Sequence, residues 1–593
     1  MGTNPAGVLS RGVHPESTAR QPQAPRISLS RSSDGSAGGF LVDHAVYHVL
    51  EQSREYEVDL VVTAGQWPDG LTGFAFVVGP AQPTVLDFAP SGPGMLTRVD
   101  LAKRTWRTRR VVTPDLAMLG GLRAALAPEE LQRLLTGAHP SLSHTAPHFF
   151  GDRLLLTADR QRPVELDPVT MTYRTFLGAV HEYPQVGAHP LFPGVQTTSH
   201  PVVDPDEGCL WWSNIHLRPR GRSTTDVEGP LSVVRWDGHG ELETWEVPGA
   251  RITQGTHEIA VTRDYVIFTE IGFQPEPGSV AGRGRTRPHL PFTDIYLVAK
   301  RDLTRARVGS AVPVTHARVP YESFHEFADY GQDGDDVTMY VAHSNGWDMN
   351  YAITRSDTVW RTGDRLRSCL SGFMPTPVDA APVGRHVIDG RTGQVRQSRY
   401  FLDPQRHWGT LLYARDTRPA ALERGRHLWQ AYWGATPDTM VSAIVEMYAD
   451  HPFRVVGVDD LPTTEIPSSL VCIDLESMTE QSAWTFPAGT ICESPVFVPD
   501  KAGGDGWVVV FVKHADRTEL QVFDALALDL GPCAVVTAPG LRMPVLFHSG
   551  YTETIRSPGT DYRRSFAADL GTGWRDLSPA ARAIVTEIVE AFG

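Results

Sequence analysis

The chain lacks most of the features that would place it in the large specialised classes. No apolar stretch reaches the roughly 18 residues that a membrane-spanning helix needs, and no apolar h-region opens the sequence, so neither a span nor a secretory leader is expected. Cysteine is sparse: Cys209, Cys369, Cys472, Cys492 and Cys533 form no CxxC pair. An odd, scattered set reads as buried thiols in a reducing compartment, not as a disulfide framework or a zinc knuckle. Basic charge is also scarce, with a formal net charge of −15 and only four lysines (Lys103, Lys300, Lys501 and Lys513). Phosphate binding needs concentrated Lys and Arg, so no nucleic-acid partner is expected. No block of like charge is long enough to form a tail. A soluble, cytoplasmic, monomeric protein that at most touches a membrane surface is the expectation.

What is present is material for a large core, 41% hydrophobic over 593 residues. Residues 1–38, rich in Pro, Ser, Gly, Arg and Gln, bury too little to offset the entropy of ordering and are expected to be disordered. From residue 39 onward one unit keeps returning: an apolar strand, an aspartate, a short turn, a second strand. It appears as RVDLAKRTW (98–106), ELDPVTMTY (165–173), VVDPDEGCLW (202–211), RWDGHGELETW (235–245) and KRDLTRARV (300–308). It returns as VIDGRTGQV (387–395), CIDLESMTE (472–480) and VFDALALDL (522–530). Aspartate suits these turns because its side chain bonds the backbone two residues on. Hairpins repeated without long interleaved helices predict an all-β protein, and their irregular spacing suits a single β-propeller over residues 39–593. Two stacked β-sandwiches are the alternative.

Two stretches are helical. Residues 116–136 carry Leu116, Leu119, Leu122, Leu126, Leu131, Leu134 and Leu135, with Pro128 placed to open a second helix and Glu129 and Glu130 in its first turn. They predict a cap packed on the propeller or, alternatively, an apolar lip that touches membrane. Residues 578–592 predict a terminal amphipathic helix with Ser578 as N-cap and Pro579 at its first position.

Four histidines sit beside strand-like runs: His200 in TSHPVVDPDEG, His257 in THEIAVTRDYVIF, His325 in FHEFADY and His548 in FHSGY. In a propeller the innermost strands converge on one axis, so such residues meet although 57, 68 and 223 positions separate them. Neutral imidazole suits iron, zinc, copper and nickel. Four imidazoles close a tetrahedral site, whereas on octahedral iron they leave two positions open. An all-neutral ligand set also needs carboxylates behind it to answer the charge of the ion. Most histidines are surface or satisfied core groups, and His44, His48, His139, His181, His189, His239, His386, His427 and His451 read that way.

The same residues resemble the carotenoid cleavage oxygenase family, which includes stilbene-cleaving dioxygenases and a retinoid isomerase. GQWPDGLTGFAFVVGP (65–80), SGPGMLTRVDL (91–101), PHFFGDRLLLTADRQRPVELDP (147–168) and ESPVFVPDKAGGDGWVVVFVK (493–513) are similar to four further segments of that family. The resemblance implies a seven-bladed propeller with a helical cap over one face. It further implies one Fe(II) on His200, His257, His325 and His548, with O2 as co-substrate and cleavage of a C=C bond to two carbonyl fragments. Three glutamates usually stand behind three of the histidines. Glu493 matches one, Asp159 stands at a second, and SRYFLDP (398–404) offers no third. Tyr321, Phe324 and Phe547 are candidates to line an apolar substrate tunnel. Stilbene-cleaving members hold a phenol with a lysine, and RRVVTPDLAM (109–118) has none, which tilts the expected substrate toward a carotenoid or apocarotenoid. Stilbene cleavage, isomerase chemistry and a non-catalytic binder of an apolar ligand or partner are the alternatives.

Overall fold

The computed structural model describes residues 54–593 other than 82–91, 136–139, 185–188, 190, 216–217, 220–226, 274–284 and 560. The N-terminal segment 1–38, and His44, His48 and His139, lie outside the described residues.

The recurrent hairpins build seven antiparallel sheets of four or five strands. They form a seven-bladed β-propeller. One edge strand of each sheet lies at the axis: Ser549–Thr552 in blade 1, Ala146–Phe150 in blade 2, Val202–Asp204 in blade 3 and Ile259–Val261 in blade 4. Ser323–Ala328, Thr410–Arg415 and Ile491–Val498 complete the ring in blades 5, 6 and 7. Strands buried on both faces read as continuous apolar runs, as in WVVVFVK (Trp507–Lys513), where β-branched side chains fill the space between blades. Closure uses both ends of the described chain. Ser549–Thr552 pairs with Phe74–Val77 in blade 1, while Val61–Gly65 pairs with Ala534–Thr537 at the outer edge of blade 7.

The aspartate turns form as the side-chain chemistry dictates. Asp167 Oδ1 accepts from the amides of Val169 (2.7 Å) and Thr170 (3.0 Å), and Asp237 Oδ1 accepts from those of His239 and Gly240 (both 2.8 Å). Asp389 holds two amides in the same way in blade 5, and Asp474 in blade 6 accepts from the amide and hydroxyl of Ser477. KRDLTRARV is the exception. The connection there is long enough to wind a helix, Lys300–Arg305, and Lys300 turns back to pair with Asp204.

The cap has two helices, Pro114–Ala125 and Pro128–Leu134. Thr113 Oγ1 caps the first by accepting from Leu116 N at 3.4 Å. Met118, Leu119, Leu122, Leu126 and Leu134 pack with Ala581 and Val585 of the terminal helix Pro579–Phe592, and with Phe76, Leu96 and Leu154 of blades 1 and 2. None of the seven cap leucines is exposed, so they pack the cap down and form no apolar lip among the described residues. No helix among the described residues is long and apolar enough to cross a membrane.

Candidate metal centre

Three of the four histidines stand just ahead of an axial strand, and His325 lies inside one at a bulge between Ser323 and His325. Backbone bonds stitch these entry points across blades: His200 N donates to His257 O (3.0 Å) and His548 N to Thr145 O (3.2 Å). The four rings therefore come from blades 1, 3, 4 and 5 and face one another. Ring centroids are 4.2 Å apart for His200 and His548, 4.7 Å for His200 and His257, and 4.8 Å for His257 and His325. One nitrogen from each lies within 4.8 Å of the others.

The hydrogen-bonding groups behind the rings settle which nitrogens face inward. His257 Nδ1 donates to Asp159 Oδ2 (2.6 Å) and His325 Nδ1 donates to Glu258 Oε2 (3.0 Å). An ionised carboxylate only accepts, so each ring spends its proton on Nδ1 and keeps a lone pair on Nε2. The Nε2 atoms of His200, His257 and His325 are buried without a hydrogen-bond partner. Burial, and after it the neighbouring imidazoles, hold His200, His325 and His548 well below the ordinary histidine pKa, so these rings are neutral ligands at neutral pH. Inward lone pairs with no protein partner, backed by two carboxylates, fit a divalent transition-metal ion.

The family model described as retinal pigment epithelial membrane protein (RPE65) matches residues 48–553. The chain belongs to the carotenoid cleavage oxygenase family. No curated protein is significantly similar to it. A variant of Synechocystis apocarotenoid oxygenase superposes with a TM-score of 0.59 at 18% identity, over 87% of this chain and 100% of that one. Its cobalt-substituted form gives 0.57 at 18% identity, over the same shares of the two chains. A lignostilbene dioxygenase from Pseudomonas brassicacearum gives 0.56 at 20% identity, again over 87% of this chain and 100% of that one. At these identities the likeness establishes the fold.

This member of the carotenoid cleavage oxygenases arranges its carboxylates in its own way. Asp159, a shorter side chain than glutamate, still reaches His257, and its other oxygen accepts from Ser199 N (3.0 Å), the residue before His200. Glu258 stands behind His325 although it follows His257 in sequence. Its oxygens also accept from Tyr413 Oη (2.9 Å) and Glu326 N (3.0 Å). Burial pushes the Glu258 carboxyl upward, against the Tyr413 hydroxyl and the Arg415 charge. Sequence reasoning missed Glu258; its one signal was a carboxylate next to a ligand, directly ahead of the axial strand Ile259–Val261.

Glu493 differs from expectation. It bonds none of the imidazoles: Oε2 accepts from Leu546 N (3.1 Å), two residues before His548, and Oε1 has no hydrogen-bond partner. Burial raises it to about 7, opposed by Lys513, which burial in turn lowers to about 8. Of the tunnel candidates, Phe324 lies against His257 (4.6 Å between centroids), while Phe547 packs near His144 (6.2 Å). Tyr321 is a correction. A positive φ of 71° swings it out of the strand that carries His325, and it packs on His343, Tyr400 and Phe453. A cavity of about 450 Å³ does reach the centre, lined by His200, His325, His548, Glu258, Tyr413 and Phe497 among others, but none of those three candidates lines it. His148 also borders it; its Nε2 donates to Ser199 O (3.0 Å), which leaves it beside the cluster and outside the ligand set.

Proposed function

We propose that the protein holds one Fe(II) on His200, His257, His325 and His548 and cleaves a C=C bond of a carotenoid or apocarotenoid with O2, giving two carbonyl products. The observation that carries this reading is four imidazoles with ring nitrogens within 4.8 Å of one another, the Nε2 atoms of His200, His257 and His325 buried without a partner. When bound, the ion supplies the oxygen chemistry that a closed-shell alkene and triplet O2 lack on their own. The chain's part is to keep the imidazoles neutral and aimed. Asp159 and Glu258 do this through the Nδ1–H groups, and Phe324 packs its ring against His257.

Cavity size and composition support the substrate class. About 450 Å³, with Phe497, Val496, Pro147 and Tyr551 in a wall that also carries Arg415, Asp416, Arg418 and Glu553, favours a shortened carotenoid with a polar end over a full-length one. Stilbene cleavage is the second reading, on the strength of fold likeness alone. The lysine it would want is missing from the cavity wall: Lys300 pairs with Asp204, Lys501 with Glu553, Lys103 with Asp100, and Lys513 is buried beside Glu493. The test is incubation of anaerobically iron-loaded protein with apocarotenoids, carotenoids and stilbenes in the presence of O2, with mass analysis of the aldehydes. Paired aldehydes from an apocarotenoid are expected. Full iron loading with no oxygen-dependent cleavage of any alkene would point instead to a non-catalytic binder.

A further inference from the structure

The axial strand of blade 6, Thr410–Arg415, runs outward from the metal centre along the cavity. Tyr413 is its inner contact, 5.9 Å from His325 between ring centroids and bonded to Glu258. Arg415 is two residues further on the same face, about 7 Å along the strand. Its guanidinium lies over the ring of Phe327 at 4.8 Å, and among the described residues it enters no ion pair and no side-chain hydrogen bond. Its five donors are open to solvent and free for a ligand. The carboxylates nearby are already committed. Asp416 takes Arg418 (2.7 Å), Glu553 takes Lys501 (3.4 Å), and both oxygens of Glu258 are engaged toward His325, Glu326 and Tyr413.

Pro147, Val496, Phe497 and Tyr551 give this wall a long apolar surface, next to the polar side chains Asp416, Thr417, Arg418, Thr552 and Glu553. A guanidinium that faces Glu258 only at long range, set beside that apolar surface, is complementary to one occupant: an apolar rod with a single anionic end. Arginine's planar fork matches a carboxylate with two parallel hydrogen bonds, and partial burial strengthens them. We propose that Arg415 forms an anion-binding subsite that takes the carboxylate end of a conjugated substrate lying in the axial cavity. This rests on the oxygenase reading above and narrows its substrate class to acid-terminated apocarotenoids.

The test compares one polyene acid with its methyl ester. Binding to the metal-free protein is followed by tryptophan quenching, and kcat/KM is measured on the iron-loaded protein. The acid is expected to bind about 10- to 100-fold tighter than the ester, the range of a charge-assisted pair. That preference should be lost in Arg415→Gln and only partly kept in Arg415→Lys, which retains the charge without the fork, with metal content reporting that each variant folds. Acetate at matched ionic strength should not displace the acid; displacement at low millimolar acetate would mean a general small-anion site and overturn the substrate assignment. Equal binding of acid and ester to the wild type, or a loss in Arg415→Gln that is the same for both, would overturn the subsite. The two readings fail separately. Acid preference without cleavage of any alkene sinks the oxygenase reading alone, and cleavage without acid preference sinks the subsite alone.

Discussion

At the scale of single residues, the centre depends on which ring nitrogen carries the proton, and two carboxylates decide that. Asp159→Asn and Glu258→Gln should each lower metal affinity by about 10- to 100-fold, measured by Co(II) or Fe(II) titration under anaerobic conditions. Glu493→Gln should leave affinity close to wild type, because Glu493 touches the backbone ahead of His548 and no imidazole. Affinity unchanged in Glu258→Gln would remove it from the metal support. The four histidines stood out in the sequence because each sits at or just before a strand-like run, and the family resemblance of those runs made them one ligand set. Glu258 was not legible, because its partner is set by the neighbouring blade. Tyr321 was misplaced because nearness to His325 in sequence says nothing about a left-handed residue that redirects the chain between them.

At the scale of elements, the aspartate turn was the most readable unit, since a short side chain bonding its own backbone is local chemistry. Asp237, on an exposed turn of blade 3, holds two amides at 2.8 Å. Asp237→Ala should cost about 1 kcal/mol in denaturant unfolding with no change in metal content; an effect under a few tenths would show that the turn forms without it. KRDLTRARV carried the same signal and became a helix, because Lys300 is drawn to a buried Asp204 that no local pattern reveals. The cap helices were readable from leucine spacing and from Pro128. Which way their leucines faced was not, since that depends on the terminal helix folding back from more than 400 residues away in sequence.

For the whole molecule, the propeller buries many imidazoles in neutral form, and this links stability to pH. Burial lowers His144, His148 and His343 to about 4. Below the unfolded value of about 6.5 the unfolded chain takes up protons that the folded chain refuses. Stability should therefore fall from about pH 6.5 toward pH 4, by about 1.4 kcal/mol per pH unit for each such group, and level off as the folded rings titrate. Glu519 extends the trend to lower pH. Despite burial, hydrogen bonds from His514, Arg517 and Gln521 hold it at about 2, so its contribution is present above the ordinary carboxylate range and is lost as pH drops toward 2. Thermal midpoints recorded from pH 7 to pH 4 check the slope, and a flat profile would mean that the rings take up protons as readily in the folded chain as in the unfolded one. The seven-bladed closure itself was foreseen only through family resemblance, because hairpin spacing alone left two stacked sandwiches open.

X-ray absorption at the iron edge of the anaerobically loaded protein tests the central claim most directly. One iron per chain is expected, with the outer-shell scattering of four imidazoles and no sulfur ligand. A shell with two imidazoles or fewer, or an ion bound through cysteine, would contradict it.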